Sequence, residues 1–450
     1  MPSDIVEQVK AAGVVGAGGA GFPTHVKLSA KADTVIANGA ECEPLLHGDQ
    51  QLMARYPEVV VQGLRLAMQA TGARRGIVAL KAEYEEAIAA LEQVLKADKD
   101  ITLHLLGSFY PSGDEFILVY EVLGRFVPEG GIPLEVGVVV NNVGTLFNVA
   151  RAAEGVPVTH RYITVAGEVQ NPVTLRVPIG TAVAEVVEWA GGTTGAGGRL
   201  TRDELVFVAG GAMMGRVVQP TEVVSKATSG LLVLPADSVV VRYMTRPLAN
   251  AVRRGMSTCD QCRDCTDLCP RNLLGHALVP HEIMRAINYG LEWPTHIVTA
   301  SVLCCECRLC EAYACPLELS PMAYYRAVKR KLAEAGWKNT VHRRRDLRPH
   351  EMFAYRRVPM ARLIDKLGLT AYRSHKAPLD EHDWQPKEVR ILLKQHTGVP
   401  ATPTVKEGST VNRGDLIASI PDGKLGANVH ASVEGKVVEV TEKYVSIRTG

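Results

Sequence analysis

Nine of the ten cysteines in this 450-residue chain fall between Cys259 and Cys315, and only Cys42 stands apart. A disulfide framework spreads its cysteines through a small secreted domain. Crowding of this kind within a long chain points instead to metal in a reducing compartment. The first run, Cys259-Asp-Gln-Cys262-Arg-Asp-Cys265-Thr-Asp-Leu-Cys269-Pro270, has the form C-x2-C-x2-C-x3-C-P. The second, Cys304-Cys-Glu-Cys307-Arg-Leu-Cys310-Glu-Ala-Tyr-Ala-Cys315-Pro316, repeats it with one more residue before the last cysteine. Three thiolates on a tight loop suit one [4Fe–4S] cube, and the cysteine before proline ligates the other cube. The spacing therefore assigns Cys259, Cys262, Cys265 and Cys315 to one cluster. It assigns Cys304, Cys307, Cys310 and Cys269 to the second. Cys305 is left over, either as a replacement for Cys304 or as a small buried thiol. Zinc is the rival metal, but zinc sites usually space two C-x2-C pairs across a longer loop. Lone Cys42 reads as a packed small side chain.

The rest of the composition sets bounds. Lys and Arg number 50 against 48 Asp and Glu, a net charge of +2, which is no footprint of a nucleic-acid binder. Fourteen Lys and Arg against four Asp and Glu crowd residues 321–373, so the remainder of the chain is acidic. No run of roughly 18 apolar residues appears, so no membrane span is expected. The opening MPSDIVEQVK lacks the apolar core of a secretory signal, and a cytoplasmic location is expected.

The chain reads as multidomain α/β. Residues 1–155 alternate short apolar runs such as Thr34-Val-Ile-Ala-Asn38 with helical patterns such as 57–71, a βαβ rhythm that predicts a mainly parallel sheet. Residues 160–245 read as short strands with one helix. The cysteines occupy 250–330 as short helices and loops. The basic stretch 331–384 reads as a linker, and 385–450 as a small all-β module.

The remaining signal is glycine. Gly16-Ala-Gly18-Gly19-Ala-Gly21-Phe22 leads to Lys27, and such a run lets backbone N–H groups approach an anion closely. This loop resembles the flavin-binding loop of the NADH-oxidising subunit of respiratory complex I and of the RnfC family. Three further matches follow in order: Asn38-Gly-Ala-Glu41-Cys-Glu43-Pro44, Tyr110-Pro-Ser-Gly113-Asp114-Glu115 and Asn141-Asn142-Val-Gly-Thr145. Ala17 and Ala40 depart from complex I, which has Arg and Asp there. Residues 162–216 resemble the soluble-ligand-binding β-grasp domain, and 396–440 resemble the RnfC barrel-sandwich module. RnfC carries that module at its N-terminus; here it is C-terminal, an order similar to that of cobalamin reductases of bacterial propanediol-utilisation microcompartments.

The resemblance implies that Gly18, Gly19, Gly21 and Lys27 hold FMN, with Asn38, Asn141, Asn142 and Thr145 as further contacts. It implies that Phe22 stacks on NADH, and that Glu41, Glu43, Gly113, Asp114 and Glu115 shape the NADH side. The implied cofactors are FMN and two [4Fe–4S] clusters, with NADH as donor. The implied activity is NADH-dependent reduction of a cobalamin substrate. The implied partners are an ATP:cob(I)alamin adenosyltransferase and microcompartment shell proteins, with no nucleic acid. An RnfC-like subunit feeding ferredoxin or a membrane complex, and a non-catalytic cluster-binding scaffold, are the alternatives.

Overall fold

The computed structural model describes residues 2–194, 204–290 and 295–450. Strand Thr34–Asn38 is buried over its first four residues, as a strand covered on both faces must be. It forms the centre of a four-stranded parallel sheet with the order Ile101–Leu106, Arg75–Lys81, Thr34–Asn38, Val138–Asn142. Helix Pro57–Thr71 starts on proline and ends against Gly72 in the left-handed region, and it packs Val60, Leu64 and Ala67 inward. The first three strands step to one side, and the fourth returns to the other side of the first. The chain thus reverses direction between Thr34–Asn38 and Val138–Asn142, and ligands of open α/β sheets bind outside the carboxyl ends at such a reversal.

A six-stranded sheet follows. Its order is Leu379–Asp380, Val173–Pro178, His160–Gly167, Gly230–Pro235, Leu205–Ala209, Arg216–Val218, and helix Val183–Trp189 covers one face. The cysteines lie on short helices and loops held by the longer helices Leu248–Thr258, Pro280–Tyr289 and Pro321–Glu334. Residues 388–448 make two small antiparallel sheets. Their interior side chains, among them Val389, Ile391, Val429 and Ile447, continue the apolar core of the parallel-sheet domain.

The basic stretch expected as a linker is packed. Val358–Pro359 pairs antiparallel with Phe109–Tyr110, and Leu379–Asp380 adds an edge strand to the six-stranded sheet. Arg344 pairs with buried Glu129 at 2.6 Å, and Arg357 pairs with Glu121 at 2.6 Å. The charge that reads as solvated in sequence is neutralised by carboxylates more than 200 positions earlier. Among the described residues, no helix is long and apolar enough to cross a membrane.

Candidate flavin crevice and cysteine cavities

Parallel register sets Asn38 beside Asn142 and Ala37 beside Asn141 at the carboxyl ends of neighbouring strands. Three asparagines expected to contact flavin therefore share one edge, at the point where the strand order reverses. Asn142 caps helix Val143–Ala153 by accepting from Gly144 N at 2.9 Å, and its amide donates to Asp49 at 2.6 Å. The glycine loop hangs over this edge. Ala17 N donates to Thr145 Oγ1 at 2.8 Å, and a Cβ on Gly18 would meet the Asn142 side chain at 3.5 Å. Gly18 and Gly19 are exposed, and Gly19 sits at φ +104° with open space around it. Phe22 is half-buried at the end of the loop. Lys27 Nζ donates to Val140 O at 2.8 Å and lies 3.4 Å from Glu115.

The acidic glycine turn packs against this edge. A Cβ on Gly113 would stand 2.5 Å from Ala40 O and 3.0 Å from Cys42 Sγ, so only glycine fits. Asn38 donates to Gly113 O at 2.9 Å. Cys42 Sγ accepts from Gly113 N at 2.8 Å, and burial pushes its thiol up to about 11. Cys42 is thus a neutral packed thiol at neutral pH.

The four acids of the resemblance occupy different surroundings. Glu43 accepts from Met213 N at 2.7 Å and Met214 N at 2.8 Å, joining the parallel-sheet domain to the six-stranded one. Burial raises its carboxyl to about 7. Glu41 is raised to about 8, first by burial and then by Asp49, whose carboxyl is raised by its own burial. Asp114 caps helix Glu115–Leu123 through Phe116 N and Ile117 N, and it pairs with Arg271 at 2.9 Å. Glu115 alone of the four is substantially exposed, at 45% of its side chain.

Several contributors carry no local sequence signal. Arg161, from the six-stranded sheet, donates to Ala17 O and to Thr228 O and faces Glu41 and Asp49. Lys226, buried, donates to Gly13 O and Asn428 O at 2.7 Å each, and burial lowers its ammonium to about 7. Thr397 of the C-terminal module donates from its amide to Gly21 O at 3.0 Å and from its hydroxyl to Ala20 O at 3.1 Å. All three domains around the loop thus fix its backbone.

The nine clustered cysteines divide between two cavities. Cys259, Cys262, Cys265 and Cys315 line one. Cys269, Cys304, Cys305, Cys307 and Cys310 line the other. The structure brings together the two sets that the spacing predicts, with Cys305 in the second. Burial first, and then neighbouring thiols, push Cys265 to about 12; burial likewise carries Cys269 to about 12. Four thiolates in one cavity need cations to hold them deprotonated. Among the described residues, no three Cys, His, Asp or Glu side chains gather tightly enough for a single metal ion. Four cysteines around one cavity are the donor set of a four-iron cube.

The groups also fit the flavin crevice. Asn141 Nδ2 is buried without a partner at the strand edge, and the exposed glycine loop opposite offers backbone N–H groups. The second cavity abuts this crevice: Tyr110 O–H donates to Cys307 O at 2.9 Å, and Arg308 donates to Met213 O at 2.7 Å. Of the ten cysteines, all of them described, Cys262 of the first cavity alone is exposed.

Modules of four known kinds follow one another along the chain. Residues 9–151 match the Nuo51 FMN-binding domain, 162–217 the SLBB domain, 258–320 a 4Fe-4S dicluster domain and 370–450 the RnfC barrel sandwich hybrid domain. A flavin-binding crevice joined to a dicluster domain makes the chain an electron-transferring oxidoreductase. More narrowly, the chain belongs to the family of the cobalamin reductase PduS. It is 46% identical to that protein of Citrobacter freundii, over 99% of this chain and 96% of the relative. It is 43% identical to that of Salmonella typhimurium, over 99% and 97%. It is also 37% identical to one component of the Na(+)-translocating ferredoxin:NAD(+) oxidoreductase complex of Acetobacterium woodii, over 61% of this chain and 59% of the relative.

Proposed function

We propose that the chain oxidises NADH at an FMN held in the crevice and delivers electrons through the two cysteine cavities to a cobalamin, taking cob(III)alamin to cob(II)alamin and on to cob(I)alamin. Bound in these sites, FMN would accept the hydride and [4Fe–4S] cubes would carry the electrons singly. The observation that carries the reading is the joint between crevice and second cavity. Tyr110 and Asp114 belong to the acidic glycine turn, and they bond Cys307 O and Arg271 respectively. The second cavity is then the inner station, and the first, with Cys262 at the surface, is the outer one.

The chain's own groups position and shield. Gly18, Gly19, Gly21 and Lys27 would hold FMN, with Asn38, Asn141, Asn142 and Thr145 along the strand edge as further contacts. Phe22, Gly113, Asp114 and Glu115 would form the NADH side. Glu41 holds a proton at neutral pH, which limits the negative charge of the Glu41–Asp49 pair beneath the loop, and Arg161 offsets what remains. Glu43 fixes the six-stranded domain beside the crevice. The acceptor follows from the relatives named cobalamin reductase, and the donor from the relative named a ferredoxin:NAD(+) oxidoreductase. An adenosyltransferase that traps cob(I)alamin, within a propanediol-utilisation microcompartment, completes the setting.

Anaerobic stopped-flow with NADH and hydroxocobalamin tests the reading. Flavin bleaching followed by growth of cob(II)alamin absorbance is expected. Bleaching without cob(II)alamin would overturn the acceptor, and no bleaching would overturn the donor.

A further inference from the structure

Arg271 follows the proline of the first cysteine motif, and it is buried to 7% exposure. A buried guanidinium needs a counter-charge and partners for its N–H groups. Its Nη2 donates to Asp114 Oδ2 at 2.9 Å. Its Cζ lies 3.7 Å from the centre of the Phe116 ring. Its Nη1 is buried with no hydrogen-bond partner. The same side chain borders the second cysteine cavity, beside Cys269, Cys305 and Cys307. Asp114 thus answers one side of the guanidinium and leaves Nη1 unmatched beside a cavity lined by thiols, where a reduced iron–sulfur cube would supply a second anionic partner.

We propose that Arg271 is a positioning residue that raises the reduction potential of the cube in the second cavity and links that cube to the flavin crevice through Asp114. The proposal rests on the reading of that cavity as an iron–sulfur site. A cube takes up one electron and becomes more negative by one charge. A fixed cation at the cavity wall stabilises the reduced form more than the oxidised form, and hydrogen bonds to cluster sulfurs act in the same direction. Low dielectric around the buried guanidinium strengthens the effect. Asp114 opposes it, because a carboxylate 2.9 Å from the guanidinium neutralises part of its charge. The two residues therefore shift the potential in opposite directions. Asp114 meanwhile stays anchored as the cap of helix Glu115–Leu123, so the acidic turn at the crevice and the cube share one guanidinium.

The test is a dithionite titration of anaerobically purified full-length protein, followed by electron paramagnetic resonance, with iron and flavin assayed in parallel. It needs neither NADH nor cobalamin. Arg271→Gln is expected to retain iron and FMN while one cluster becomes about tenfold harder to reduce, a shift of about 59 mV for one electron. Arg271→Lys should recover most of that shift, since it keeps the charge. Asp114→Asn should move the same cluster the opposite way, because asparagine still caps the helix but carries no charge. Unchanged midpoints in both Arg271→Gln and Asp114→Asn would overturn the proposal. If Arg271→Gln loses iron, Asp114→Asn decides: a raised midpoint supports the role and an unchanged one removes it. A wild-type protein without a cluster signal would instead overturn the iron–sulfur reading of the cavity.

Discussion

The two cysteine cavities begin from almost the same sequence motif and end against different neighbours. The first opens to solvent at Cys262, on a rim of exposed Asp260, Arg263 and Asp264. The second is lined by buried Cys269, Cys307 and Cys310 and half-buried Cys304 and Cys305, and is bonded to the acidic glycine turn through Tyr110 and Arg271. Ligand spacing fixes what each cavity can hold, whereas the neighbouring domains fix where it stands in an electron path. The most decisive way to break this comparison is to remove one cube at a time. Cys307→Ala should lower iron by about half and leave the remaining cluster reducible by dithionite but not by NADH. Cys262→Ala should also lower iron by about half, with flavin still bound and the remaining cluster still reduced by NADH. Electron paramagnetic resonance after each reductant reads both outcomes. NADH reduction of the outer cluster in Cys307→Ala would reverse the order.

A large effect is also expected upstream of both cavities. Gly19 sits at φ +104°, a conformation costing an L side chain about 1–2 kcal/mol. Gly19→Val should therefore both distort the loop and fill the open space where the flavin would lie. Flavin absorbance per chain should drop at least tenfold, while iron stays at the wild-type level. Full flavin occupancy would remove the loop from the crevice and leave the inner cavity without its donor.

The contrast between the cavities was only half legible in sequence. Both cysteine sets could be read because the ligands of each loop lie within a few residues of each other, and cluster geometry imposes that spacing. The glycine, asparagine and acidic turns were legible only through their resemblance to family motifs that come in the same order. Arg271, Tyr110 and Arg308 were not, since their partners Asp114, Cys307 and Met213 lie about 95 to 200 positions away. Arg161 and Thr397 reach the glycine loop from two other domains, so no local pattern marks them. The stretch 331–384 misled for a related reason. Its arginines look solvated until Glu129 and Glu121 come into reach, and its two short pairing segments find their sheets only in the folded chain.

A moderate effect separates the crevice side from the cavities by pH. Glu41 is raised from 4.5 to about 8 and Glu43 from 4.5 to about 7, both first by burial. Between the unfolded and folded values, each of these two carboxyls binds more proton in the folded chain than in the unfolded one, so its contribution to stability falls as pH rises through that window. His160, His276 and His430, each lowered to about 3 first by burial, act the opposite way below about pH 6.5, and Lys226, lowered to about 7, does so above about pH 7. The readout is therefore the thermal midpoint of the wild type relative to that of Glu41→Gln, which should decrease from about pH 5 to about pH 8, since glutamine carries no proton to lose. A difference that stays constant across that range would show that the Glu41 carboxyl stays charged in the fold.

The smallest expected effect lies in the one feature that makes the motifs unequal in composition. The first cavity has four cysteines, but the second has five, because Cys304 and Cys305 both line it. Register favours Cys304. Counting from Cys304 reproduces the C-x2-C-x2-C spacing of the first motif, whereas counting from Cys305 leaves a single residue before Cys307. A one-residue gap cannot place two thiolates on separate irons in the way the first motif does. Cys304 also accepts from Glu306 N at 3.3 Å, the kind of backbone donor that steadies a ligating sulfur. Cys305→Ala should therefore keep its full iron, with at most a slight shift of the inner cluster's midpoint from losing a polarisable neighbour. Cys304→Ala should lose about half the iron. If the two variants exchange these outcomes, Cys305 is the ligand and the inner motif follows its own spacing rather than that of the outer one.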